Sequence, residues 1–281
     1  MVNNNHKECN SLYLTNIGYL MEHFITYKGT NVHYYELGKG KSIVLLHGFL
    51  EDSNMWKDIA TLVAKTHRVV CIDLLGHGKT EPVEGVYTMD KMAEYVKVVI
   101  DYLSIDRLIL VGHSMGGYVS LSFAKNYPEM VEGLCLMNST AAADSTEKKI
   151  NRDRAIKAVL KNHKTFIRIA IPGLFAESDR YNYTKEIDEG IKQALTMSPN
   201  SITACLAGMK ERKDRIAFFR EAHFTKMIII GHEDPILNYQ NLINETKNTD
   251  IHVVEFDGGH MSHIENNEEF TYNIMHFIEK F

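Results

Sequence analysis

The sequence predicts an α/β protein in which a mostly parallel sheet is flanked by helices on both sides. Several apolar runs rich in β-branched residues are continuous rather than alternating, as in strands that are buried on both faces of a parallel sheet. Segments between these runs carry apolar residues at the i, i+3, i+4, i+7 spacing of amphipathic helices. Strand and helix patterns therefore alternate along the chain as in consecutive βαβ units.

The first strand signals differ from the later ones. Residues 23–26 and 31–36 are joined across Lys28-Gly29-Thr30, and we expect an antiparallel hairpin there. The continuous runs that follow predict six buried strands, at 42–46, 68–72, 107–111, 133–137, 227–230 and 251–256.

Three apolar stripes predict helices that pack against the sheet. The first begins at Trp56, the second at Met92 and the third at Phe270, close to the end of the chain. Each repeats its apolar residues every three to four positions, so that one helix face is apolar.

The alternation stops between about residue 140 and residue 222, where the patterns are helical. Asp144 and Glu147 have capping-box spacing, and Ser198-Pro199 suits the start of another helix. The length of 281 residues is compatible with one or two domains. We interpret this segment as an insertion within one domain.

The expected domain organisation has three parts. Residues 21–139 and 223–281 form the α/β core, and residues 140–222 form a helical cap inserted into it. Residues 1–20 carry no periodic pattern and are expected to be a loosely ordered N-terminal arm.

Composition excludes several classes of function. With 31 Lys and Arg against 36 Asp and Glu, the net charge of −5 argues against nucleic-acid binding. No apolar run approaches the roughly 20 residues of a membrane span. The polar start of the chain suggests no export signal. The 4 cysteines lack metal-type or CxxC clustering and are expected to be reduced thiols, so we expect a cytoplasmic protein.

A G-x-S-x-G sequence lies between an apolar strand and a helical segment. It reads Gly112-His113-Ser114-Met115-Gly116, and Gly117 follows it. A sharp strand-to-helix turn needs small residues because its backbone is crowded, and it exposes the hydroxyl of the central serine. Ser114 is therefore the predicted nucleophile. The alternative is an ordinary glycine-rich turn with a capping serine.

A serine nucleophile requires a base, and the base requires an orienting carboxylate. Asp234 follows the strand at 227–230 and is the predicted acid, with neighbouring Glu233 as the rival. We favour Asp234 over Glu233 because the shorter side chain should be held more firmly in a turn that resembles a helix N-cap. Because Asp234 precedes Pro235, a purely structural helix N-cap is the alternative for it.

His260 follows the strand at 251–256 and is the predicted base, with His263 as its rival. Gly258-Gly259 favours His260, since the glycine pair lets the loop fold the imidazole back over the sheet edge. We expect His113 and His232, which are neighbours of these residues, to be packing residues. The order Ser114, Asp234, His260 places each residue just past the carboxyl end of a strand.

The oxyanion of such a reaction needs main-chain donors. Leu45 to Leu50 follows the first parallel strand, and the predicted donors are the N–H groups of Phe49 and Met115. His47 is expected to brace this loop by a hydrogen bond. The segment from Asp73 to Gly78 is expected to be a tight structural loop.

Taken together, the motifs resemble those of the α/β-hydrolase fold family over residues 22–281. They are His47-Gly48-Phe49, Asp73 through Gly78, Gly112 through Gly117, Gly231 through Asp234 and Gly259-His260. The resemblance implies a mostly parallel eight-stranded sheet, a Ser-His-Asp triad and a variable helical cap. The chain is most similar to small-molecule esterases with a Gly-His-Ser-Met-Gly-Gly elbow. Related dehalogenases and epoxide hydrolases carry Asp where this chain has Ser114.

The sequence thus predicts a serine esterase that cleaves a small, apolar ester through an acyl-enzyme, without metal or organic cofactor. Carbon–carbon bond hydrolases, thioesterases and lyases use the same triad, and a non-catalytic ligand-binding member is a further alternative. An arginine in the cap that lines the pocket would favour the carbon–carbon hydrolases. The candidates, which the sequence does not rank, are Arg152, Arg154, Arg168, Arg180, Arg212 and Arg215. The sequence predicts no oligomeric state.

The cap is rich in large apolar side chains that suit an apolar substrate, although most of them are expected to pack the cap onto the core. They are Phe166, Phe175, Tyr181, Tyr183, Met197, Met209, Phe218 and Phe219.

Overall fold

Nine strands form one sheet in the computed structural model, which describes residues 12–15 and 18–281. They are β1 (Leu12–Thr15), β2 (Gly18–Tyr27), β3 (Thr30–Leu37), β4 (Ser42–Leu46), β5 (Arg68–Ile72), β6 (Leu108–His113), β7 (Val131–Met137), β8 (Thr225–Gly231) and β9 (His252–Phe256). Their order across the sheet is β1-β2-β3-β5-β4-β6-β7-β8-β9. Strands β1 to β3 pair antiparallel, β3 pairs antiparallel with β5, and all later neighbours pair in parallel.

The eight predicted strands are confirmed as β2 to β9, and the predicted α/β fold with a mostly parallel sheet is correct. The prediction of a loosely ordered arm is wrong for residues 12–15 and 18–20. Strand β1 pairs with the first part of β2, with Leu12 opposite Met21 and Thr15 opposite Gly18. An edge strand is held by main-chain hydrogen bonds to one neighbour, so it needs no apolar periodicity. The other arm residues, 1–11 and 16–17, lie outside the described residues.

Burial of both faces explains why the parallel strands are continuously apolar. In β4, Ile43 and Leu45 join the apolar cluster on one face, and Val44 and Leu46 join the cluster on the other. Successive side chains of a strand point to opposite faces, so every position of a fully covered strand must be apolar.

Ten helices cover the sheet and its carboxyl edge in the described part of the chain. They are α1 (Lys57–Val63), α2 (Met89–Tyr102), α3 (Met115–Asn126), α4 (Thr146–Ala170), α5 (Thr184–Ala194), α6 (Pro199–Lys210), α7 (Ile216–Glu221), α8 (Tyr239–Thr246), α9 (Ser262–Glu265) and α10 (Asn267–Ile278). Helices α1 and α10 cover one face, and α2 and α3 cover the other. The apolar stripes predict α1, α2 and α10, and the segment after the G-x-S-x-G sequence predicts α3. None of the helices formed by the described residues is long and apolar enough to cross a membrane.

Only helices and turns lie between β7 and β8, where the sequence predicts the cap. Helix α6 begins as expected, since the Ser198 hydroxyl accepts a hydrogen bond from the Ser201 N–H. The predicted capping box of Asp144 and Glu147 is wrong. The Ser145 side chain caps α4 by accepting from the Lys148 N–H, because the Asp144 carboxylate is instead held by arginines.

Candidate active site

Ser114 occupies the sharp turn between β6 and α3. Its φ of 49° and ψ of −113° are unusual for a residue with a side chain. A Cβ at Gly112 would lie 2.5 Å from the carbonyl of Gly116, and one at Gly116 would overlap the carbonyl oxygen of Leu46. The two glycines are therefore required by close backbone approach, and the strained turn presents the Ser114 hydroxyl above the sheet edge.

The structure brings the three predicted triad residues together. Nε2 of His260 lies 2.8 Å from Oγ of Ser114, and Nδ1 of His260 lies 2.7 Å from Oδ2 of Asp234. Asp234 and His260 are buried, and they follow β8 and β9 at the edge where β6 also ends. With a proton on Nδ1, His260 donates to the carboxylate and accepts from the serine hydroxyl.

Asp234 uses its two carboxylate oxygens differently. Oδ1 accepts the main-chain N–H groups of Ile236 at 2.8 Å and Leu237 at 2.9 Å, whereas Oδ2 faces His260. The structure thus contains both the cap-like turn and the contact with the imidazole. Burial raises the pKa of Asp234, but His260 and the two N–H groups outweigh it, so the pKa lies below its ordinary value.

The rival residues lie away from this chain of hydrogen bonds. Glu233 is exposed and accepts a hydrogen bond from the Ser178 hydroxyl at 2.6 Å. The ring of His263 packs beside Trp56 and His113, and burial together with nearby His113 lowers the pKa of His263 to about 3. His263 is therefore a neutral packing residue near neutral pH.

The two glycines before His260 are required because there is no room for a side chain at either position, and neither has a positive φ. A Cβ at Gly259 would overlap the main-chain nitrogen of Ala176, and one at Gly258 would overlap the side chain of Asn266. The His260 N–H donates to the carbonyl of Leu174 at 2.8 Å, so the segment between β7 and β8 holds the histidine loop directly.

The predicted oxyanion donors follow two neighbouring strands at the sheet edge. Strands β4 and β6 are neighbours, with Leu46 opposite Gly112. The turn that contains Phe49 follows β4, and α3, which begins at Met115, follows β6. Neither N–H donates to another described residue, and the first N–H groups of a helix have no acceptor within it. Both groups are thus free to bind an oxyanion.

Glu51 was missed by the sequence reasoning, and it joins three segments of the site. Its Oε2 accepts from the Gly48 N–H at 2.6 Å and lies 2.8 Å from Nδ1 of His113. Nε2 of His113 in turn lies 2.9 Å from the carbonyl oxygen of His260. Because both ring nitrogens face acceptors, His113 is best satisfied as an imidazolium. No sequence pattern distinguishes Glu51 from an ordinary loop carboxylate.

The Glu51 and His113 side chains form a buried ion pair. Burial raises the pKa of Glu51, but the charge and hydrogen bond of His113 outweigh it and lower that pKa to about 2. Burial likewise lowers the pKa of His113, but Glu51 outweighs it and raises that pKa above its ordinary value. His113 is therefore more than the packing residue that the sequence suggested.

Asn138 is a second residue that sequence reasoning missed. Its Nδ2 donates to Oδ2 of Asp234 at 3.2 Å and to the carbonyl of Gly259 at 3.0 Å. Asn138 follows β7 directly, at the same edge as the other site residues, and that position is the signal that could have revealed it.

The other singled-out residues are structural. His47 lies 2.8 Å from the Gly48 carbonyl and accepts from the Leu74 N–H at 2.9 Å, as the bracing role requires. Asp73 holds its loop by accepting from two main-chain N–H groups and binding His33 Nδ1 at 2.7 Å. The expectation that His232 is a packing residue is wrong, since its ring is exposed between two carboxylates. Within residues 12–15 and 18–281, no group of three His, Cys, Asp or Glu side chains suits a metal ion.

A cavity of about 420 Å³ opens at Ser114 and His260. Most of its lining is apolar, and it includes Phe49, Leu50, Ala155, Phe166, Ile169, Leu174, Leu206 and Met209. Of the apolar cap residues singled out in the sequence, Phe166 and Met209 line this cavity, whereas Phe175, Met197 and Phe219 are buried in the core. Two cationic residues, Lys148 and Arg152, extend from α4 into the same lining.

Comparison with known proteins defines the family. The pattern of the alpha/beta hydrolase fold family matches residues 41–267. The chain therefore belongs to this family, in agreement with the resemblance seen in its motifs.

Similar proteins include an esterase and two hydrolases that are named for unsaturated oxo-acids. A thermophilic esterase from Thermogutta terrifontis, solved with malate bound, is 29% identical, with a TM-score of 0.85 over 92% of this chain and 98% of its own. A 2-hydroxy-6-oxononadienedioate/2-hydroxy-6-oxononatrienedioate hydrolase from Paraburkholderia phymatum is 28% identical over 77% of this chain and 70% of its own. A 2-hydroxy-6-oxo-6-(2'-aminophenyl)hexa-2,4-dienoic acid hydrolase from Metapseudomonas resinovorans is 32% identical over 42% of each chain. The chain spans less than half of several curated relatives that it matches, 30% in one case.

Proposed function

We propose that this hydrolase cleaves the carboxylic ester bond of a small substrate, with Ser114 as nucleophile, His260 as general base and Asp234 as the orienting acid. The observation that carries the proposal is the continuous hydrogen-bonded chain from the Ser114 hydroxyl through His260 to Asp234. The esterase from Thermogutta terrifontis, similar over most of its length, supports ester cleavage.

The reaction would proceed in two halves. Oγ of Ser114 forms a bond to the ester carbonyl carbon while His260 Nε2 takes the hydroxyl proton. The oxyanion accepts hydrogen bonds from the Phe49 and Met115 N–H groups, and His260 then gives its proton to the leaving alcohol. Water, deprotonated by His260, attacks the acyl-enzyme and releases the acid. Asp234 stabilises the imidazolium in both halves.

In the proposed enzyme, a helical cap lies over an α/β core. Residues 140–222 form the cap that roofs the cavity, residues 21–139 and 223–281 form the core, and the Gly-His-Ser-Met-Gly-Gly elbow marks the esterase-like subgroup. The site requires no metal or organic cofactor. A cytoplasmic location is supported by Cys71, Cys135 and Cys205, which are free and buried thiols.

Hydrolysis of a carbon–carbon bond beside a ketone is the second candidate function. It is favoured by the two dienoate hydrolases among the relatives and by Arg152 in the cavity lining, since substrates with those names carry carboxylates. The same three residues would serve this reaction.

The decisive experiment uses a fluorophosphonate probe together with a panel of 4-nitrophenyl esters of increasing chain length. We expect the probe to label Ser114, labelling to disappear in Ser114→Ala, and short or medium esters to be hydrolysed. Ser178→Ala, at an exposed serine, is the matched control and should be labelled normally. A folded protein that is never labelled would contradict the serine-nucleophile proposal. Labelling without ester turnover, but with turnover of a 2-hydroxy-6-oxo-dienoate, would favour the second candidate.

A further inference from the structure

Lys148 is a cation at the active-site cavity that has no partner among the described residues. It lies in the first turn of α4, is half-buried, and lines the same cavity as Ser114 and His260. Its ammonium group makes no hydrogen bond or ion pair with any residue in the described ranges. An ammonium partly withdrawn from water is costly unless an anion compensates it.

The charged neighbours of Lys148 leave a positive surplus. The buried Asp144 carboxylate is shared by Arg152, whose Nε lies 3.1 Å away, and by Arg212, whose Nη1 lies 2.6 Å away. One carboxylate therefore faces two guanidinium groups. Burial, Arg212 and Arg152 lower the pKa of Lys148, although Asp144 and Asp234 oppose this effect.

The carboxylates nearest the reaction centre are already engaged. Glu51, in the cavity lining, is paired with His113, and Asp234 is paired with His260. The remaining lining is largely apolar, so Lys148 and Arg152 form a cationic spot on an apolar wall. A ligand complementary to that wall has an apolar chain and an anionic end.

We propose that Lys148, with Arg152 beside it, binds a carboxylate of the substrate that is separated from the scissile bond by an apolar chain. The substrate class is then a monoanionic ester, such as a half-ester of a dicarboxylic acid. The nature of the scissile bond rests on the proposed function, whereas the carboxylate site rests on the charges around Lys148 and on the lining of the cavity.

Two pairs of esters, each differing only by a carboxylate in place of a methyl group, test the proposal. Methyl hydrogen adipate is compared with methyl hexanoate for the acyl side, and 4-butyryloxybutanoate with butyl butyrate for the alcohol side. Hydrolysis is followed by acid release at constant pH. In at least one pair, we expect kcat/KM to be about tenfold higher for the anionic ester, and this advantage to shrink at high salt.

Variants separate the charge of Lys148 from its bulk. Lys148→Met should lower the anionic-to-neutral ratio of kcat/KM about fivefold or more, mainly through KM, and Lys148→Arg should keep most of the ratio. Lys149→Met, at the exposed next residue of α4, is the matched control and should leave the ratio unchanged. A wild-type ratio near one in both pairs, or an unchanged ratio in Lys148→Met, would overturn the proposal.

A binding measurement keeps this result distinct from failure of the proposed function. In Ser114→Ala, calorimetry should show tighter binding of the anionic member in at least one pair, and adding Lys148→Met should remove the difference. If no ester is hydrolysed and the fluorophosphonate fails to label Ser114, the proposed function is wrong, yet this binding difference still decides the carboxylate site. Equal binding of both members in each pair would refute it.

Discussion

The Glu51 carboxylate lies 2.8 Å from Nδ1 of His113, the residue that precedes Ser114 in the chain. The same carboxylate holds the Gly48 N–H, and His113 holds the carbonyl of His260. One buried ion pair thus joins the loop that carries Phe49, the nucleophile turn and the histidine loop. Its loss should loosen the relative positions of all three segments.

Replacing Glu51 by Gln should destabilise the protein by about 3 kcal/mol, because it leaves His113 buried without its counter-charge. The pKa of Glu51 is lowered from 4.5 to about 2, so its contribution is present above pH 4.5 and is lost as the pH falls towards 2. The pKa of His113 is raised above 6.5, so its contribution is complete below that pH and declines as the pH rises through the raised value. The difference between wild type and variant should therefore be largest at about pH 5 to 6.

Urea unfolding at a series of pH values measures this dependence. Glu129→Gln, at an exposed carboxylate, is the control and should show little change. A Glu51→Gln penalty that is the same at acid pH and at pH 5 to 6 would argue against the ion pair.

Removing either reacting member of the triad should nearly abolish turnover. Ser114→Ala and His260→Ala should each lower kcat by roughly 10⁴ to 10⁶, and the double variant should lose no more than the single ones because the residues act as a unit. Ester kinetics with the substrates above measure the loss. Additive losses in the double variant would mean that Ser114 and His260 act independently.

The glycines of the nucleophile turn should tolerate no side chain. Gly116→Ala would place a Cβ against the carbonyl oxygen of Leu46, and we expect a loss of about 3 kcal/mol or failure to fold. Gly173→Ala is the matched control, since a Cβ at Gly173 meets no atom within 4 Å. Thermal unfolding compares the two variants, and equal stability would show that the strand-to-helix turn relaxes easily.

Asn138 should act as a positioning residue for Asp234. Its φ of 43° is also accessible to glycine, so Asn138→Gly removes the amide without adding backbone strain. Losing its bonds to Asp234 and Gly259 should lower kcat about tenfold with little change in KM. A change confined to stability, with kcat intact, would make Asn138 a purely structural residue.

Much of the fold was readable from local patterns. The continuous apolar runs predicted β4 to β9, because strands covered on both faces must be apolar at each position. Strand β1 was missed because main-chain pairing at a sheet edge requires no apolar periodicity. The capping box at Asp144 was misassigned because distant Arg212 binds that carboxylate.

The sequence alone determined the order and spacing of the motifs, and with them the likeness to the family and the choice of Ser114, Asp234 and His260. Local chemistry suffices there, because a crowded turn needs glycine and each motif follows its own strand. Only the tertiary structure decided which distant residues meet at the site. Glu51 reaches His113 across 62 positions, and Lys148 reaches the cavity with no counter-ion in the part of the chain that the structure describes. Such encounters depend on how loops and α4 pack over the sheet edge, and no local periodicity encodes that packing.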